Sequence, residues 1–133
     1  MISNPKHGWC NFKLGTFKGI PSYLTNVPAD LLTAFIDYHT KGYGIAWFDE
    51  EGTEFSFILT PYSLFIIEEK EKPVLHDFSE MKIKNLEKEL VKDIEKDLNR
   101  WAEFITNEDC SDKIIQHRKG ILQKLSILKK YIK

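Results

Sequence analysis

Tyr43-Gly44-Ile45-Ala46-Trp47-Phe48, then Phe55-Ser56-Phe57-Ile58-Leu59, then Leu64-Phe65-Ile66-Ile67 form the stretch whose reading decides the fold. Tyr43, Ile45 and Trp47 alternate with Gly44, Ala46 and Phe48, a period of two that predicts a strand with its large residues on one face. Phe55, Phe57 and Leu59 alternate with Glu54, Ser56 and Thr60 in the same way. Asp49-Glu50-Glu51-Gly52 and Thr60-Pro61-Tyr62-Ser63 supply the turn residues between the runs. Leu64 to Ile67 is apolar on both faces, which predicts a strand covered on both sides. Three strands joined by short turns make an antiparallel meander. Glu54 and Glu68-Glu69 flank its most aggregation-prone run, where charged gatekeepers belong.

Toward the N-terminus, Asn26 and Pro28 open a helix, and Ala29, Leu32, Phe35, Ile36 and His39 follow its 3.6-residue period. Gly42 is placed to end it in a left-handed conformation. Before the helix, Phe12 and Leu14 share a face in a strand expected over about 9–17, and Gly15, Gly19 and Pro21 mark a loop. Toward the C-terminus, residues 74–84 carry conflicting signals. Asp77 and Glu80 have capping-box spacing, while Met81 to Lys84 alternates like a strand. Leu86, Leu90, Val91, Ile94, Leu98, Trp101 and Ile105 then occupy one side of a helix. Asn107 interrupts it, and Ser111 caps a last helix carrying Ile114, Ile115, Ile121, Leu122, Leu125, Leu128 and Ile132.

Strands and helices segregate along the chain, which predicts an α+β fold. Its parts are an antiparallel β-meander of about four strands, one short inserted helix, and a C-terminal antiparallel helical hairpin packed on one face. At 133 residues the chain reads as one domain, 1–133. Its apolar fraction is 42%, so the sequence can bury a core without staples. Nine Phe, five Tyr and three Trp predict that this core is rich in rings.

A net charge of −1 argues against bulk attraction to nucleic acid or an anionic membrane. From Lys113 onward there are seven basic residues and no acidic one, yet at 100° per residue they scatter around the helix. Leu86 to Asp109 holds eight carboxylates against four basic residues, so the two helices complement each other. No run approaches the roughly eighteen apolar residues of a membrane helix, and no signal-peptide h-region follows Met1. A cytoplasmic protein with reduced thiols is the expectation.

Chemistry finds little purchase in the sequence. His7 with Cys10, and Cys110 with His117, fall outside the usual metal-ligand spacings, and there is no nucleophile elbow, phosphate loop or H-E-x-x-H. No catalytic residue, metal or cofactor is assigned. The acidic turn Asp49-Glu50-Glu51 with Glu54 is the candidate surface for a basic protein partner. By analogy of class alone, small proteins of this look include bacterial or phage immunity and inhibitor proteins, which points to a non-catalytic protein-binding module. Two other readings stand beside it. One is a small-molecule binder or enzyme with a pocket between sheet and hairpin, lined by Trp9, Trp47, Tyr62 and Trp101. The other is a self-associating structural protein, so monomer and homodimer both remain open.

Overall fold

The computed structural model describes residues 1–106 and 111–132. The expectations placed on Asn107, Glu108, Asp109 and Cys110 lie outside the described residues. In chain order the elements are β1 (Ile2–Lys6), β2 (Trp9–Leu14), β3 (Phe17–Gly19), α1 (Val27–Lys41), β4 (Gly44–Asp49), β5 (Glu54–Leu59), β6 (Leu64–Glu69), β7 (Val74–Asp77), α2 (Ile83–Lys96), α3 (Leu98–Glu103) and α4 (Ser111–Tyr131).

Strands β4 to β7 form the meander in sequence order, with every pair antiparallel. The conflict at residues 74–84 resolves in two steps. Val74–Asp77 pairs with β6, and the helix begins at Ile83. Asp77 ends the strand rather than capping the helix, because its Oδ1 accepts hydrogen bonds from the Ser79 backbone N–H (2.9 Å) and hydroxyl (2.5 Å). Those two donors also hold the Asp77 carboxyl below its usual range.

A second antiparallel sheet, β1-β2-β3, was not anticipated in full. The strand expected over 9–17 breaks at Gly15, whose φ of +56° suits a residue without a Cβ, and the chain doubles back into β3. This small sheet supplies Phe12 and Phe17 to the inner face of the meander. Phe12 lies 5.1 Å from Phe55 and 5.8 Å from Phe48, and Phe17 lies 5.0 Å from Phe55, centroid to centroid. Helix α1 covers the rest of that face, with Phe35 5.7 Å from Phe57. Rings at such separations add pairwise attraction to their area burial.

The packing of α1 on β4 explains the alternation of the first meander strand. A Cβ at Gly44 would lie 1.8 Å from the Ala34 carbonyl oxygen, so only glycine admits the helix backbone there. The small residues Gly44 and Ala46 therefore face the core with Phe48, and Tyr43, Ile45 and Trp47 point away from it. Similarly, Leu64 and Ile66 are buried, whereas Phe65 and Ile67 are only half-buried. Strand β6 is thus covered on one side, not on two.

Helix α1 begins after Asn26 and ends at Gly42 (φ +86°), with Pro28 in its first turn. The Asn26 side chain does not cap the helix. Its amide oxygen lies 2.8 Å from His117 Nε2, and His117 Nδ1 lies 3.0 Å from the Ala102 carbonyl. At the other end of α1, the His39 ring stacks on Tyr131 at 4.6 Å, with the planes 4° apart. Helices α1 and α4 therefore run side by side in the same direction, joined at both ends.

The single helix expected from Leu86 to Ile105 is two, because Asp97 (φ −130°, ψ 38°) leaves helical geometry. The bend turns Trp101 fully into the core, where its indole N–H donates to the Asp93 carbonyl at 3.4 Å. Helices α2 and α3 rest against β1, and α4 lies along α1 and α3. Among the described residues, Lys129 to Glu95 (2.9 Å) is the ion pair joining α4 to α2. No described helix is long and apolar enough to cross a membrane.

Candidate functional site

The outer face of the meander carries the candidate site. Strand register sets its side chains in rows, since each antiparallel partner shares a face with the residue opposite. Ile45, Ile58 and Phe65 make one row, ending at Asp77 on β7. Trp47, Ser56, Ile67 and Leu75 make the next. Ile45 is 57% exposed, Leu75 56% and Trp47 43%, which leaves the face apolar and open to solvent.

A third row continues the same face with charge. Asp49 pairs with Glu54, and Glu54 with Glu69, so three carboxylates cross three strands in line. Like charges directly opposite one another cost a sheet stability. Their crowding is visible at Glu54. Its carboxyl is raised above the usual range, first by a hydrogen bond shared with Glu69, then by lost hydration and the negative charges of Glu69 and Asp49. The Trp47 indole works in the opposite direction. A shallow cavity of about 370 Å³ opens beside the row, between Glu54, Glu69, Asp49 and Lys70. Lys70 leans instead on Glu68, 3.3 Å away.

The four acidic residues singled out in the sequence divide into two kinds. Asp49 and Glu50 hold the loop together. Asp49 Oδ1 accepts the Glu51 backbone N–H at 2.6 Å, and the Glu50 carboxylate accepts from Ile20 N–H (2.9 Å) and the Thr53 hydroxyl (3.1 Å). Glu51 stands at the tip with a φ of +57°, and Glu54 faces outward beside Glu69. Glu69, Ile58, Phe65 and Leu75 escape a reading by motif, because only strand register puts them beside Glu54 and Trp47. The alternation at 54–59 and the Glu68-Glu69 pair were the available signals.

The four rings of the pocket reading lie on different parts of the molecule. Trp101 is fully buried, Trp47 is on the meander's outer face, Trp9 is part of β2, and Tyr62 is 93% exposed on the β5–β6 turn. None of the four cavities described gathers them.

Cys10, His39 and His76 each already have a partner. Burial pushes the Cys10 thiol up to about 12, and its Sγ donates to the Pro21 carbonyl at 3.8 Å, so it is a poor nucleophile at neutral pH. His39 pairs with Glu87 and His76 with Glu68, at 2.8 and 2.7 Å. Among the described residues there is no cluster of three His, Cys, Asp or Glu side chains able to hold a metal ion.

The fold defines a two-sheet α+β protein whose larger sheet has one open face. Compared with known proteins, the chain matches no family model, no curated protein and no solved structure.

Proposed function

We propose that the chain is a non-catalytic protein-binding module of inhibitor type, which covers a basic surface of another protein with the open face of its meander. The observation that carries this reading is the line Asp49–Glu54–Glu69 at the end of two apolar rows. The apolar rows offer an interface centre with a tryptophan, and the carboxylates offer a polar rim, which is the usual anatomy of a docking surface. A lysine or arginine of the partner relieves the like-charge crowding that the isolated fold bears. A second copy docked through this same face brings no such relief, because it presents the same acidic row.

A photo-crosslinking residue in place of Ile45, which is exposed, tests the reading in cells of the source organism. The expected product is a heteromeric adduct with a protein that carries a basic surface. That protein, once purified, binds the chain one to one, with affinity falling as salt is added. Replacing Glu54 and Glu69 together by Lys weakens the complex about tenfold or more, mostly through slower association. Adducts between copies of the chain, or a partner indifferent to the double charge reversal, overturn the proposal.

A further inference from the structure

On a different surface, the β1–β2 turn and α3 border an open cavity of about 700 Å³, within the size range of small-molecule sites. Lys6 and His7 line it from the turn, and Arg100 and Glu103 line it from the helix. Phe104 and Pro5, both buried, give it an apolar wall. The turn is tight. Lys6 pairs with Trp9, and the two residues between them, His7 and Gly8, have φ values of +53° and +78°. Histidine is among the few residues with a side chain that adopt this conformation with some frequency.

None of Lys6, His7 and Arg100 makes an ion pair with another described residue. Among the described residues, two permanent cations and an imidazole therefore line a concave space with one carboxylate, on a chain whose overall charge is −1. A guanidinium fork matches the oxygens of a phosphate bidentately, and a lysine beside it adds a second positive charge.

We propose that this cavity binds a small organic phosphate, with Arg100 and Lys6 on the phosphoryl oxygens and the organic portion against Phe104. Glu103 opposes the anion and limits affinity. The inference is independent of the docking face on the meander.

Titration of the full chain with phenyl phosphate at low ionic strength, followed by amide resonances, tests it. Saturable shifts centred on Lys6–Gly8 and Arg100–Phe104 are expected, with inorganic phosphate binding more weakly. Arg100→Gln and Lys6→Gln each weaken binding about tenfold, as loss of a charge-assisted hydrogen bond does. Glu103→Gln tightens it severalfold. All three side chains are exposed, so spectra away from the cavity report intact folding. Shifts centred on the lysines of α4, an absence of saturation, or unchanged affinity in Arg100→Gln overturns the proposal.

Discussion

Glu87 is the most deeply buried charged side chain among the described residues. It is 1% exposed, its Oε1 lies 2.8 Å from His39 Nε2, and its Oε2 has no hydrogen-bond partner among the described residues. Burial raises its carboxyl above the ordinary range, while the charges of His39 and Lys84 work the other way. A raised carboxyl binds its proton more tightly folded than unfolded. The resulting stability is full below the ordinary glutamate range and is lost as pH rises through the folded value. Glu87→Gln keeps the shape and removes the charge. It should raise unfolding stability at pH 7 by about 1 kcal/mol, the low end for relieving a buried charge. The gap should close near pH 4, and denaturant titration at both pH values checks the result. His117 has the opposite sign. Burial lowers its pKa, so its contribution is present above about 6.5 and declines as pH falls. Neither residue was legible in the sequence. His39 follows the helical period like a core residue, and nothing local places Glu87 of α2 against it.

At the scale of elements, the meander was legible and its polarity was not. The alternation at residues 43–48 gave the strand but not which of its two faces is buried. The close approach of α1 to Gly44 decides that, since the backbone of α1 fills the space that a side chain would need. The break at Asp97 and the split at Gly15 were unread for a related reason. Periodicity survives a bend when both halves bury the same face. Strand β1 carries little apolar alternation and contains Pro5, so its place follows only from pairing with β2. The two faces should respond oppositely to substitution. Phe57→Ala, fully buried among rings, should cost about 3–5 kcal/mol, while Ile45→Lys on the open face should stay within about 1 kcal/mol. Thermal unfolding of the two variants measures the contrast, and equal losses would mean that the outer face is packed.

Considered as a whole, the protein separates its charges. Carboxylates gather at one end of the meander, and basic residues scatter along α4, where Lys129 is already engaged by Glu95. Scattered cations on a chain of net charge −1 do not make the continuous stripe that a phosphate backbone requires. Duplex DNA should therefore show no measurable affinity at physiological salt in a fluorescence-anisotropy titration. Micromolar, salt-sensitive binding would reverse that view of α4. The near-neutral balance and the aromatic content were readable from composition. The convergence of Lys6, His7 and Arg100 was not, because residues so far apart in the chain meet only through the packing of α3 on β1.

Helix α1 is held at its start by His117 and at its end by Tyr131, both from α4. During synthesis the meander and α1 emerge from the ribosome well before either holder exists. A nascent chain can therefore acquire its sheet early while one flank of α1 stays bare, and chaperones have their best opportunity in that interval.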